Sequence, residues 1–255
     1  MNLEQFIFTA ARRLLLTGQV IKSEKWQGVK LDNAMMEAIK VYLGPAIMPT
    51  SQNTLVKLVK PNLPWAEDHF KERVGGKPLN PGDTYQYWPY YSRDKEMRNS
   101  GELFTHTYME RFWPKFTGQK TGLPNVGIRY FYGDYDDVVT QLITDPYTRQ
   151  AFLPIFFPED TGAIHGGRVP CTLGYLFQYR NNHLHLTYYI RSCDFIRHFR
   201  DDIYMAVRLA QDCLLKLKLG SPEFSGATLG SLDMHIGSLH IFEPEVNRIA
   251  REFNL

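Results

Sequence analysis

Two strand-like runs, TLGYLFQYR (172–180) and HLHLTYYIR (183–191), are separated only by Asn181 and Asn182. Asparagine tolerates the left-handed backbone that a two-residue hairpin turn requires, so the runs are expected to fold back on each other as antiparallel neighbours. Downstream, DDIYMAVRLAQDCLLKLKLG has apolar residues at helical spacing, opens on aspartates suited to a helix N-terminus and stops at Gly220. LGSLDMHIGSLHIF reads as a last strand before a short terminal helix. Upstream, residues 3–17 and 31–43 read as helices and NTLVKLVK as a half-buried strand. A short helix ends at Gly75-Gly76 before a long loop rich in Pro, Gly and Tyr, the kind of loop that often carries function. GDYDDVVTQLIT reads as a helix and the tail of DPYTRQAFLPIFFP as a buried strand. Strands and helices mix without βαβ alternation, so the expected class is α+β, a mixed sheet packed with helices.

The 255 residues suit one domain spanning the whole chain, with a substantial core. No apolar run approaches the roughly 20 residues of a membrane helix, so a soluble protein is expected. With 29 basic against 27 acidic residues, the net charge of +2 creates no global field that would draw the chain onto nucleic acid. Any anion site must be local. Cys171, Cys193 and Cys213 are widely spaced and form no CxxC pair, which argues against a disulfide scaffold or a bound metal and for a reducing compartment. In MNLEQFIFTAARRLLLTG the basic residues follow the apolar start, so the segment reads as an opening helix and not as a leader.

Chemistry concentrates near the hairpin. Cys171 stands at a strand start, with Arg168 upstream and Arg191, Arg197 and Arg200 downstream. Nearby guanidinium groups favour a thiolate, the form that attacks carbon. Arg191 with Ser192 suits a phosphate clamp, through fork-like and hydroxyl donors, and Arg149 in DPYTRQ offers a further one. Spacing alone leaves other readings open: a buried packing cysteine, and arginines paired with surface carboxylates.

The run PCTLGYLFQYRNNHLHLTYYIRSCDFIRHFRDDIY resembles the core of the thymidylate synthase superfamily: a Pro-Cys nucleophile, two strands, then Arg-Ser-x-Asp and a residue that reads the pyrimidine. Arg191 follows Cys171 by 20 residues and Asp202 follows it by 31, both as in that family. DPYTRQ resembles the family's phosphate loop, THTYMERFW its Tyr-containing segment and LDMHIGSLHIF its late strand, while SEKWQGVK is a fainter echo of the N-terminal phosphate loop. FRDD and GSLHIF bring the chain nearest to the phage deoxycytidylate hydroxymethylases.

That resemblance implies a homodimer joined through a sheet face and a reaction between a pyrimidine nucleoside monophosphate and the co-substrate 5,10-methylenetetrahydrofolate. Cys171 would add to C6 of the base and C5 would take up the one-carbon unit. Water would then quench the exocyclic methylene to give 5-hydroxymethyl-dCMP. Arg149 would reach the phosphate from the partner subunit, Arg191 and Ser192 would bind it in cis, and Lys25 and Arg168 would assist. Tyr108 would lie near the nucleophile, Asp194 would organise base and folate, Trp65 would lie on the folate side and His240 would face the sugar. Asp202 stands where synthases carry Asn. A carboxyl suits the N4 amino donor and N3 acceptor of cytosine better than it suits uracil, and mispairing costs about 1 to 3 kcal/mol. The setting implied is the cytoplasm of a phage-infected bacterium.

Departures from the pattern shape the expectations. Gln150 stands for a second loop arginine, Phe242 for a sugar-contacting tyrosine and His198 for a glycine. The sequence given ends 15 residues after His240, which favours water access, while the Tyr-rich stretch 83–91 offers a substitute lid. For the proton-handling carboxylate, Glu67 is the first candidate beside Asp68 and Glu72, direct alignment puts Asn62 there, and His69 and His106 can share proton work. Competing readings are a dCMP methyltransferase, a dUMP-using hydroxymethylase or synthase, and a nucleotide-binding relative without catalysis.

Overall fold

The computed structural model describes residues 1–23, 25–26, 29–89, 98–99, 103–104, 106–115, 133–161 and 169–255. Helix α1 (Leu3–Thr17) opens with a capping box: Asn2 Oδ1 accepts from Gln5 N at 2.9 Å, and the Gln5 side chain accepts from Asn2 N at 3.1 Å. Leu3, Phe6, Ile7, Ala10, Ala11 and Leu14 then form its buried stripe. The chain continues through strands β1 (Gln19–Ile21), β2 (Lys25–Trp26), β3 (Val29–Lys30) and β4 (Met35–Ile47), then helices α2 (Gln52–Val59) and α3 (Trp65–Val74). Short strands β5 (Arg98–Asn99) and β6 (Leu103–Phe104) precede helices α4 (Tyr108–Phe112) and α5 (Tyr135–Thr144). The remaining elements are β7 (Phe152–Pro154), β8 (Thr172–Arg180), β9 (His183–Ile190), β10 (Cys193–Asp194), α6 (Phe199–Gly220), β11 (Thr228–Phe242) and α7 (Val246–Phe253).

Seven strands form one mixed sheet in the order β1-β4-β11-β9-β8-β7, with β10 paired to β11. β11 runs antiparallel to β4 and parallel to β9, and β8 and β9 form the expected hairpin. Asn181 and Asn182 have φ of 49° and 63°, the double left-handed turn that a tight hairpin uses. One face of the sheet carries the core, onto which α1 and α6 pack. Across the other face runs a row of rings. Tyr42 of β4 lies 4.7 Å from His235 of β11, His235 is 5.0 Å from Tyr189 of β9, and Tyr189 is 6.2 Å from Phe152 of β7. Gly174 in β8 makes room for the Phe152 ring, which lies where its Cβ would stand.

Two local expectations give way to tertiary pairing. Residues 31–43 do not form a helix, because Met35–Ile47 is a strand paired with β11 along its length. Its Ala, Met, Glu and Lys residues favour helix locally, yet pairing and burial prevail. Lys40, at φ 57°, shifts the alternation between Ala38 and Val41, and a register irregularity between Leu43 and Ala46 shifts it again, so that all four reach the core. NTLVKLVK lies in α2 and is not a strand: Leu55 and Val59 stand one helical turn apart and bury together. In the Tyr-rich stretch, residues 83–87 form a 3-10 turn and residues 90 and 91 lie outside the described residues. Among the described residues, no helix is long and apolar enough to cross a membrane.

Candidate active site

The β8–β9 hairpin sets Cys171 against Arg191. Strand pairing joins Thr172 to Ile190, and Arg191 N donates to the Cys171 carbonyl at 2.9 Å. The Arg191 side chain then folds back across the cysteine. Its Nε donates to Pro170 O at 2.8 Å, and its Nη2 donates to Val169 O at 2.9 Å and lies 3.9 Å from Cys171 Sγ. A partly buried sulfur thus stands beside a fixed guanidinium.

Hydroxyls cluster next to that sulfur. Thr172 Oγ1 lies 2.8 Å from Tyr188 Oη and 3.4 Å from Tyr108 Oη, and Tyr188 Oη lies 3.4 Å from Asp202 Oδ1. Cys193 Sγ, 3.7 Å from Asp202 Oδ2, closes the other side of that carboxyl. Burial holds the Tyr108 phenol well above its ordinary range, and the nearby Cys171 adds to the effect. Burial likewise raises Asp202 to about 7, against the attraction of Arg73 and with the repulsion of Asp201. Asp202 can therefore change its charge near neutral pH. Arg73, near the end of α3, is buried, and its guanidinium carbon lies 4.0 Å from the centroid of the Tyr108 ring.

β10 brings the next pair together by registering Asp194 against His240 of β11. Asp194 is buried. Its Oδ1 accepts from Ile196 N at 2.9 Å and Arg197 N at 3.0 Å, and Arg197 Nη1 donates to its Oδ2 at 2.7 Å. His240 is buried, its Nε2 has no partner among the described residues, and burial lowers its pKa. Arg197 also lies 4.7 Å from the centre of the Phe242 ring. Partly buried Ser192 lies between Arg191 and this pair in sequence.

Other candidates stand apart from this cluster. Glu67 accepts from Arg208 Nε at 2.9 Å, Arg208 Nη2 at 3.0 Å and Tyr204 Oη at 2.8 Å, so α6 holds it in an ion pair. Helical periodicity places Tyr204 and Arg208 well around α6 from Asp202. Both donors of Asn62 go to Asp201, backbone N to Oδ1 and Nδ2 to Oδ2, each at 2.8 Å. Asp68 lies on the surface near Lys71, and Glu72 binds Thr84 and the buried His69, whose pKa burial lowers to about 4. His106 lies 6.4 Å from Tyr108, ring to ring. Trp65 is buried and stacks on His69 at 4.9 Å, and its Nε1 has no partner among the described residues.

Arg149 is exposed in the connection before β7 and is not part of the Cys171 cluster within the chain. Arg200 donates to Val59 O at 2.9 Å and pairs with Glu252. Lys25 lies on β2 with its side chain outside what is described, and Arg168 lies outside the described residues. Arg73, Thr172, Tyr188 and Cys193 escaped the reading of the sequence. For Arg73 a signal existed, since it falls on the stripe of Trp65, Ala66, His69 and Phe70 that α3 buries. Among the described residues, no group of His, Cys, Asp and Glu side chains is placed to hold a metal ion.

No protein-family model matches the sequence, and no curated protein matches it. Among solved structures, the chain is similar to thermostable thymidylate synthase A from Bacillus subtilis, with a TM-score of 0.67 and 14% identity over 100% of this chain and 84% of that one. The α+β architecture built around the Cys171 hairpin is thus a thymidylate synthase-like fold.

Proposed function

We propose that this chain is a pyrimidine nucleotide C5 one-carbon transferase that hydroxymethylates dCMP. The observation that carries the reading is Cys171, held 3.9 Å from the Arg191 guanidinium beside a chain of hydroxyls that ends on Asp202. The likeness of fold supports it, as does the match of Cys171, Arg191, Ser192, Asp194 and Asp202 to the resemblance drawn from sequence. Two buried polar atoms without partners, His240 Nε2 and Trp65 Nε1, fit the need for a nucleotide and a folate to satisfy them.

In this reading Arg191 favours the Cys171 thiolate, which adds to C6 of the base and leaves C5 nucleophilic. 5,10-Methylenetetrahydrofolate supplies the one-carbon unit when bound, with Asp194 and Trp65 on its side of the pocket. C5 gains that carbon and loses its proton. Once the folate amine has left, an exocyclic methylene remains; water adds to it, and the C6–S bond breaks to release Cys171. Asp202 accepts from the cytosine N4 amino group, His240 faces the sugar, and Arg191 and Ser192 hold the phosphate with Lys25 and Arg168. The row Tyr42, His235, Tyr189 and Phe152, with exposed Ile39 and Ile47 beside it, is the face on which a second copy docks. Arg149, exposed and outside the cluster, then reaches the phosphate of the partner's site.

One observation favours a second reading, nucleotide binding without turnover. Asn62 stands where the resemblance places a proton-handling Glu, and both its donors are held by Asp201. Mass spectrometry of products separates the two. The protein is incubated with methylenetetrahydrofolate and, in turn, dCMP, CMP and dUMP, with Cys171→Ala as control. A CH2O gain on dCMP alone, absent from the control, supports the hydroxymethylase. A CH2 gain makes it a methyltransferase, and a gain on dUMP overturns the base assignment. No product from any nucleotide leaves the binding reading.

A further inference from the structure

An ionised Asp202 can accept from the cytosine amino group but has no proton for N3, the acceptor beside it. The pocket holds another group that can supply one. Arg73 is 4% exposed, and among the described residues its Nε has no hydrogen-bond partner and no carboxylate forms an ion pair with it. Its guanidinium carbon lies 4.0 Å from the centroid of the Tyr108 ring. Buried arginines are ordinarily forked onto carboxylates or carbonyls, because a desolvated cation with open donors is costly. Here the hydroxyl chain that leads from Tyr108 through Thr172 and Tyr188 ends on Asp202, so the guanidinium and the carboxyl stand at the two ends of one cluster. The charge of Arg73 is felt at Asp202, Tyr108, Tyr175 and Tyr188 alike.

We propose that Arg73 is the donor half of a base-reading pair: it hydrogen-bonds N3 of a cytosine whose N4 amino group is taken by Asp202. The proposal rests on the reading of the pocket as a pyrimidine nucleotide site and names the residue that makes it selective. Side by side, an acceptor and a donor match the amino group and N3 of cytosine. The pairing also bears on the chemistry. When a thiolate adds to C6, negative charge spreads from C5 onto N3, where a fixed guanidinium stabilises it. Arg73 therefore acts on both affinity and rate, through contact with the base.

The test is nucleotide binding measured by calorimetry, with dCMP, with 3-deaza-dCMP, in which C–H replaces N3, and with 2-deoxyribose 5-phosphate, which has no base. Wild type, Arg73→Met and Arg73→Lys are compared. Expected for wild type is a loss of about 10- to 100-fold in affinity from dCMP to 3-deaza-dCMP, the worth of a hydrogen bond to a charged donor. Arg73→Met binds the two alike and both weakly, Arg73→Lys recovers part of the preference, and all three proteins bind the sugar phosphate equally. The Met variant also melts no lower than wild type, since an open buried cation has been removed. Retention of the full N3 preference by Arg73→Met overturns the proposal, for Asp202 in its protonated form is then the N3 donor. A Met variant that melts lower yet binds dCMP normally overturns it too, by making Arg73 structural. If wild type binds no pyrimidine nucleotide at all, both this proposal and the function it rests on fail, an outcome distinct from the other two.

Discussion

Replacing Asp202 with Asn tests the electrostatics of the pocket without any substrate. Burial lifts the Asp202 carboxyl from its ordinary 3.8 to about 7 in the folded chain. Because the folded pKa is the higher one, the folded state holds this proton more tightly than the unfolded state does. Asp202 therefore costs nothing below about pH 4 and destabilises progressively as pH rises, until the penalty levels off above about 7. At 1.36 kcal/mol per pH unit, the full penalty is about 4 kcal/mol, of which about 2 kcal/mol develops between about pH 5.5 and 8.5. Asn, close in shape and without charge, carries no such term. The assay is urea unfolding of wild type and Asp202→Asn at those two pH values, compared as a difference of differences so that other titrating groups cancel. The stability gained by the variant is expected to grow by about 2 kcal/mol from the lower to the higher pH. Parallel pH profiles for the two proteins would refute the proton-holding carboxyl and the role of desolvation with it.

Glu67→Gln is expected to lower stability by about 1 to 2 kcal/mol, since it breaks a partly exposed fork to Arg208 that water already screens. At about 2 to 4 °C per kcal/mol for a chain of this size, a thermal scan reads a fall of several degrees while product formation is unchanged. A collapse in turnover at unchanged melting temperature would instead make Glu67 the proton-handling carboxylate. Charge placed in the exposed aromatic row, as in Tyr42→Asp with His235→Asp, is expected to shift the protein from dimer to monomer in analytical ultracentrifugation. An unchanged sedimentation coefficient would remove the sheet face as the docking surface.

Much of the candidate site was legible because it is local or set by strand register. Cys171, Arg191 and Asp194 lie on one hairpin and its continuation, so once Asn181 and Asn182 make the turn, pairing of Thr172 with Ile190 brings Cys171 and Arg191 together. Asp202 follows from the helix that starts next to them. The partner of Glu67 was not legible, because a carboxylate on an amphipathic helix has no local mark of which neighbour it will meet, and Arg208 is 141 residues away.

Sequence by itself determined the hairpin, the long helix that stops at Gly220, the last strand and the spacing of the nucleophile from its arginine. These elements carry their information in turn chemistry and short-range periodicity, which survive without a fold around them. Tertiary structure alone decided that Met35–Ile47 is a strand, since only pairing with β11 outweighs its helical preference. It also decided what Arg73 meets. Periodicity puts Arg73 on the buried stripe of α3, but only the packing of α3 against α4 sets its guanidinium over the Tyr108 ring.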